Sequence, residues 1–157
     1  MNKNSMNIAN RELHLIDIEN ETGKSKPTAA EIAQFRAFYC DRNNVPRDAH
    51  IVVAASSGAT LLEASVGWPG ARTTFLPGRD GADLALIEVA LDENVDSRYG
   101  KVVIASGDHI FAEAATTLIR LGVKVTFFAR AVYLSRFLRE TKATIQVFSA
   151  QDFSLAA

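Results

Sequence analysis

The sequence predicts an α/β protein in which a doubly wound, mostly parallel sheet of five or six strands carries helices on both faces. From Leu13 onward, short apolar runs alternate with longer amphipathic runs, and this alternation is typical of a parallel sheet whose strands are joined by helices. The run from His50 to Ala55 is apolar after its first residue, as expected for a strand that is buried on both faces. The connecting runs are long enough for right-handed crossovers, which place helices on both sides of the sheet.

The predicted elements are bounded by residues that favour a helix start or end. Thr28 and Glu31 have the spacing of a capping box, and Gly122 is a typical helix-ending residue. Strands are predicted over 13–17, 50–55, 72–76, 101–105, 123–128 and 144–148, and helices from Thr28, from Gly58 through Ala64, and over 80–92, 108–121 and 132–140. Residues 1–11 are predicted to be a disordered leader and residues 12–153 a single domain.

Composition and charge restrict the class of protein. Hydrophobic residues make up 48% of the 157 residues and charged residues 22%, which indicates a soluble domain with one substantial core. The formal net charge of −1 means that binding to nucleic acid would need a local basic patch. No run approaches the roughly 18 apolar residues that span a bilayer, and the polar N-terminus is unlike a secretory signal. We therefore expect a cytoplasmic protein without a membrane partner. Cys40 is the only cysteine, so an intrachain disulfide and a cysteine zinc cluster are excluded.

Acidic residues follow three of the predicted strands. In a doubly wound sheet, ligands bind beyond the carboxyl ends of the strands, where the strand order reverses. If the order is 3-2-1-4-5, that point lies between the first strand, which ends in Asp17, and the fourth, which is followed by Asp108. Asp80 and Asp83 begin the helix after the third strand, on the same rim. Glu19 and Asn20 add further oxygen-bearing side chains next to Asp17.

Two interpretations of these residues stay open. Converging carboxylates repel one another unless a cation neutralises them, and oxygen ligands without cysteine favour Mg²⁺ or Mn²⁺ over zinc. The alternative is that Asp108 is only a helix N-cap and that Asp80 and Asp83 form a capping pair. Asp17 is predicted to end a central strand at a place where no helix begins, so capping does not account for it.

The sequence resembles the NYN branch of the PIN-like nucleases at three stretches. They read Leu-Ile-Asp-Ile-Glu-Asn at 15–20, Gly-Ala-Asp-Leu-Ala-Leu at 81–86 and Ala-Ser-Gly-Asp-His-Ile-Phe at 105–111. The resemblance extends over about residues 12–153 and implies a PIN-like fold. It also implies an endonuclease, usually acting on RNA, in which Asp17, Asp83 and Asp108 bind Mg²⁺ or Mn²⁺ and are catalytic. Asn20 and Ser106, with Asp80 and Glu19, would support the site.

One position departs from this family. Ile110 stands where a second aspartate is common, two residues after the position of Asp108. The loss of that carboxylate weakens metal binding or removes a second metal, and Glu113 and Glu19 are candidates to compensate. The departure favours an alternative function, that of a catalytically inactive PIN-like domain that binds nucleic acid or another protein.

Substrate contacts are predicted from positive charge at the same rim, since phosphates need it. Arg79, Arg130 and His109 are the candidates, although most arginines of such a chain are ordinary surface residues. The natural RNA, a preference for RNA over DNA and the formation of a homodimer stay open. A dinucleotide-binding domain is excluded because the turn after the first strand is acidic and not glycine-rich. A response-regulator receiver is excluded because Leu76-Pro77 and Phe128-Ala129 stand where that family needs an aspartate and a lysine.

Overall fold

The structure is a computed structural model that describes residues 7–155. Six strands form one sheet in the order β3-β2-β1-β4-β5-β6, and every pair of neighbours is parallel. The predicted doubly wound α/β fold is confirmed, and the order reverses between β1 and β4 as expected. The strands are β1 (Glu12–Asp17), β2 (His50–Ala55), β3 (Arg72–Phe75), β4 (Lys101–Ala105), β5 (Lys124–Arg130) and β6 (Thr144–Phe148).

Helices connect the strands. They are α1 (Ile18–Thr22), α2 (Ala29–Arg42), α3 (Gly58–Gly67), α4 (Gly81–Asp92), α5 (Val95–Arg98), α6 (Ala112–Arg120) and α7 (Arg136–Arg139), with 3₁₀ turns at His109–Phe111 and Ala131–Tyr133. The predicted capping box is present, since the side chains of Thr28 and Glu31 each accept a hydrogen bond from the other residue's backbone. No helix within residues 7–155 is long and apolar enough to cross a membrane.

The core has two layers, one on each face of the sheet. In β1, Leu15 packs in one layer and Ile16 in the other, as the alternation of side chains along a strand requires. Helices α4 and α6 contribute Leu86 and Leu118 to the first layer, and α2 contributes Phe35 to the second. The central strands of the sheet are therefore covered on both faces.

Two predicted elements differ from the structure. The helix predicted over 132–140 is a 3₁₀ turn followed by the single turn α7. Ser135 interrupts it, because its backbone N–H donates to the carbonyl of Gly107 (2.8 Å) and its side chain caps α7 by accepting from Phe137 N. The helix predicted from residue 108 begins as a 3₁₀ turn and is α-helical only from Ala112.

The predicted disordered leader is partly wrong. Residues 1–6 lie outside the part of the chain that the structure describes. Residues 7–11, however, pack against the fold, because the carbonyl of Arg11 accepts hydrogen bonds from the backbone of Gly100 (3.1 Å) and Lys101 (3.3 Å). A Cβ at Gly100 would lie 2.3 Å from the carbonyl oxygen of Ala9, which shows how closely this segment approaches.

Candidate metal centre

A pocket of about 600 Å³ opens at the carboxyl ends of the strands, where the strand order reverses. Its volume lies within the ordinary range for small-ligand sites. The predicted site residues that line it are Asp17, Glu19, Asn20, Arg79, Asp80, Asp83, Asp108 and His109. Residues far apart in the chain therefore meet in one place, as predicted, and acidic side chains dominate the walls.

Asp17 is the most enclosed carboxylate that lines the pocket. It is 5% exposed, and it accepts hydrogen bonds from Ser106 Oγ at Oδ2 (3.1 Å) and from Asn20 N at Oδ1 (3.4 Å). The second of these contacts makes Asp17 the N-cap of α1. The prediction that no helix begins at Asp17 is wrong, because a helix of five residues gives too short a pattern to recognise in the sequence. Capping uses only one oxygen, and the other points toward β4.

Asp83 lies in the first turn of α4 and is 7% exposed. It lines the same pocket as Asp17, and each of the two carboxyl groups acts on the pKa of the other. Asp80, one residue before α4, is exposed and makes no side-chain cap. Asp80 occupies the N-cap position and Asp83 the first turn of α4, as the capping interpretation expects, but Asp80 makes no capping hydrogen bond through its side chain.

Burial raises the pKa of both carboxyl groups of this pair. The pKa of Asp17 is raised well above its ordinary value, first by burial, then by the hydrogen bond and charge of Asp83, and then by the charge of Glu19. The pKa of Asp83 is also raised by burial; the hydrogen bond of Asp17 opposes this effect, and the charges of Asp108, Asp80 and Glu19 add to it. Holding both groups ionised is therefore costly unless a cation is present.

Ser106 and Asn20 connect the ends of β1 and β4. Ser106 Oγ donates to Asp17 and also accepts from the backbone N–H of Asp108 (3.2 Å). Asn20 Oδ1 accepts from the backbone N–H of Gly107 (3.1 Å). Both residues thus fix the relative position of Asp17 and Asp108, which is what a supporting residue has to do.

Asp108 has a cap interaction of its own. Its Oδ1 accepts from Ile110 N (3.0 Å) and lies 3.2 Å from Nδ1 of the exposed His109. Asp108 is therefore an N-cap, as the capping interpretation predicts. The residue nevertheless lines the pocket, and its charge acts on Asp83.

Two glutamates follow Asp17 in α1 and both are held close to the pocket. Glu19 Oε1 accepts from the backbone (2.9 Å) and the hydroxyl (3.0 Å) of Ser56, whereas its Oε2 is buried and has no hydrogen-bond partner within residues 7–155. Glu21 is fully buried, and neither carboxylate oxygen has a partner in that part of the chain. Burial raises its pKa well above the usual value, the charge of Asp17 adds to this and Arg130 opposes it. Nothing in the sequence pattern marked Glu21.

The structure does not place Arg130, a predicted substrate contact, among the residues that line the pocket. Arg130 is 9% exposed and does not line the pocket. Its Nη2 donates to the carbonyls of Glu21 (3.1 Å) and Thr22 (3.3 Å), and its guanidinium carbon lies 5.1 Å from the centre of the Phe148 ring. The cation is drawn inward because the last carbonyls of a helix have no partner within the helix.

The position that departs from the NYN pattern faces away from the metal pocket. Ile110 packs against the first core layer and does not line the pocket. Glu113 is exposed and lies on a different groove. Of these two glutamates, which are the candidates to compensate, only Glu19 lines the pocket, and its Oε2 has no hydrogen-bond partner within residues 7–155.

Mg²⁺ and Mn²⁺ require oxygen ligands, which the acidic residues of the pocket offer. Over residues 7–155, no three His, Cys, Asp or Glu side chains already stand together at ligand spacing. Mg²⁺, however, usually keeps several waters and takes only one or two protein carboxylates. Asp17 and Asp83 supply two carboxylates to one pocket, which Glu19 also lines, and Glu19 keeps an unpartnered oxygen. The residues therefore fit the ion, and Asp17 and Asp83 would hold it, with Asp108 on the same pocket wall.

Comparison with known proteins supports the fold but gives no information on function. No family model matches the sequence, and none of the curated proteins matches it significantly. Among solved structures, the chain is similar to a protein of unknown function from Vibrio parahaemolyticus, with a TM-score of 0.63 and 17% sequence identity. The match covers 92% of this chain and 96% of that one. At this identity the likeness shows a shared fold alone.

Proposed function

We propose that the protein is a Mg²⁺- or Mn²⁺-dependent endonuclease that acts on RNA. The observation that carries the proposal is that two buried acidic residues, Asp17 and Asp83, line one pocket at the point where the strand order reverses. A purely structural role does not explain why two acids are kept together out of water at high electrostatic cost. The resemblance to NYN nucleases at the stretches that contain both residues supports the same assignment.

Different residues of the pocket have different roles in the proposed hydrolysis of a phosphodiester. A bound divalent ion supplies a water of lowered pKa and stabilises the charge that develops on the phosphate. Ser106 holds the Asp17 carboxylate in place through its hydroxyl group. Arg79 is exposed on the pocket wall and offers positive charge to the substrate backbone. His109, exposed beside Asp108, offers a second contact to the substrate.

A second candidate function is a PIN-like domain that binds nucleic acid or a protein without cleaving it. Two observations favour it. Ile110 replaces an acidic residue common in the family, and no three-carboxylate group is assembled within residues 7–155. The two functions differ in turnover, so a cleavage assay separates them.

The test is cleavage of a fluorescently labelled single-stranded RNA, measured on a denaturing gel with Mn²⁺, Mg²⁺ or EDTA. The variants Asp17→Asn and Asp108→Asn are expected to lose cleavage, because each keeps the shape of the side chain and removes its charge. Asp92→Asn is the matched control, because Asp92 is an exposed aspartate at the far end of the helix that carries Asp83. Wild-type rates in both pocket variants would refute the assignment. Metal binding by the wild type without any cleavage would instead favour the second function.

A further inference from the structure

An exposed aromatic surface borders the metal pocket. It consists of His109, Tyr133 and Phe137, which we call the aromatic shelf. Tyr133 and Phe137 are each 47% exposed, and the rings of His109 and Phe137 lie 6.2 Å apart between centroids. His109 and Tyr133 also line the metal pocket, so the shelf is continuous with that site.

Backbone contacts fix the position of the shelf relative to the pocket. A Cβ at Gly107 would lie 2.4 Å from the carbonyl oxygen of Tyr133, so only glycine allows the two segments to approach this closely. The carbonyl of Gly107 accepts from Ser135 N (2.8 Å), and its N–H donates to Asn20 (3.1 Å). One residue thus connects the shelf segment to the helix that follows Asp17. The aromatic side chains are presented from a fixed base next to the acidic residues.

The charges around the shelf indicate what it binds. The guanidinium carbon of Arg136 lies 5.1 Å from the centre of the Phe137 ring, and Arg79 lies on the wall of the adjoining pocket. Aromatic side chains beside cations can bind a single-stranded nucleic acid, because the bases stack on the aromatic rings and the phosphates contact the positive charges. An anionic membrane surface would be repelled by the neighbouring carboxylates, whereas a phosphodiester would meet them through the metal ion.

We propose that the aromatic shelf stacks an unpaired nucleobase beside the scissile phosphate and thereby selects single-stranded over double-stranded RNA. This inference rests on the proposed nuclease function. In a duplex, the bases are stacked on one another and their faces cannot reach a side chain without unpairing. In a single strand they are accessible, and stacking on an aromatic side chain contributes about 1–3 kcal/mol per base.

The first test is the steady-state cleavage of a single-stranded 12-mer RNA by Tyr133→Ala and Phe137→Ala in Mn²⁺. Each variant is expected to raise KM about 10-fold, which corresponds to about 1.4 kcal/mol, and to leave kcat nearly unchanged. Tyr133→Phe is expected to retain the wild-type KM. Leu62→Ala is the matched control, because Leu62 is 69% exposed and lies in α3, which carries no residue of the shelf. Unchanged KM in both alanine variants would overturn the proposal.

The second test replaces single nucleotides of the same RNA by abasic sites. At the position of the stacked base, the abasic RNA is expected to raise the KM of the wild type about 10-fold. With Phe137→Ala or Tyr133→Ala, the same abasic RNA is expected to cause no further rise in KM, because the stacking between base and side chain is already lost. Additive losses at every position, or equal cleavage of duplex RNA, would overturn the shelf while leaving the nuclease assignment in place.

The failures of the two proposals can be told apart by binding. If the wild type does not cleave, fluorescence anisotropy with the same RNA in Mn²⁺ tests the shelf alone, with an expected 10-fold weaker Kd for the alanine variants. Equal affinity for the variants and the wild type would overturn the shelf whether or not the protein cleaves. Absence of binding by the wild type would overturn both proposals.

Discussion

The substitution Asp17→Asn is expected to make the protein more stable in the absence of metal. At a pH where both acids of the wild type are ionised, the change removes one of two neighbouring charges from a site that is 5% exposed. The introduced amide can then donate a hydrogen bond to the Asp83 carboxylate, which the ionised Asp17 side chain cannot do. A hydrogen bond to a charged group contributes about 2 kcal/mol. For a chain of 157 residues, about 2–4 °C per kcal/mol gives a rise in melting temperature of about 4–8 °C.

The dependence on pH gives the same prediction a second readout. When folding raises the pKa of a carboxyl group, the folded state holds the proton more tightly than the unfolded chain does. The folded protein therefore loses stability as the pH rises toward and through the raised pKa. The wild type in EDTA is therefore expected to lose stability as the pH rises above about 4, the range of ordinary carboxyl groups. Asp17→Asn is expected to show a weaker dependence.

Thermal melts followed by circular dichroism in EDTA, at pH 5.5 and pH 8, provide the measurement. Asp92→Asn serves again as the control, and its melting temperature is expected to stay close to that of the wild type at both values. The reasoning is refuted if Asp17→Asn melts several degrees below the wild type in EDTA at pH 8. That result would mean that the Asp17 carboxylate stabilises the apo protein instead of straining it.

Metal is expected to reverse the order of the two proteins. At a Mn²⁺ concentration 100 times the Kd, binding stabilises a folded protein by about 2.7 kcal/mol, which for this chain length corresponds to about 5–11 °C. The wild type should show this rise and Asp17→Asn should not. An equal rise in both proteins would place the ion away from Asp17.

Two further substitutions probe the support of the site. Ser106→Ala removes the hydroxyl between Asp17 and the N–H of Asp108. It is expected to lower the free energy of unfolding by about 1–3 kcal/mol and to weaken the Mn²⁺-induced shift in melting temperature. An unchanged melting temperature and an unchanged shift would contradict the positioning role of Ser106. Gly81→Ala would place a Cβ 1.7 Å from the carbonyl oxygen of Leu76, so a loss of about 1–3 kcal/mol and a reduced metal response are expected. Gly58→Ala, at a helix start with nothing within 4 Å of the added Cβ, is its control, and equal melting temperatures for the two variants would contradict the packing argument.

The fold and the meeting of the acidic residues were predictable because both follow from strand order. The apolar runs at Leu15 and Val103 define central strands that lie side by side in the structure. Once β1 neighbours β4, residues that follow the two strands have to share a rim. Asp17 and Asp108 are such residues, and the first turn of α4 brings Asp83 to them. This reasoning needs no knowledge of side-chain conformation.

The parts that were missed depend on tertiary contacts. Helix α1 has five residues, too few for a periodic pattern, so the cap at Asp17 was not predicted. Arg130 directly follows a run of strand residues in the sequence, and only the folded structure shows that it turns inward to the carbonyls of α1. Glu21 looks like a surface residue of an acidic loop, yet it is fully buried.

The location of a bound ion tests the central claim most directly. Crystals of the wild type soaked in Mn²⁺ should give an anomalous difference peak, recorded near the manganese absorption edge, about 2.2 Å from carboxylate oxygens of Asp17 and Asp83. The Asp17→Asn crystal under the same conditions should lack the peak. A fully soaked wild-type crystal with no peak between these two residues, or with its peak elsewhere on the molecule, would contradict the account.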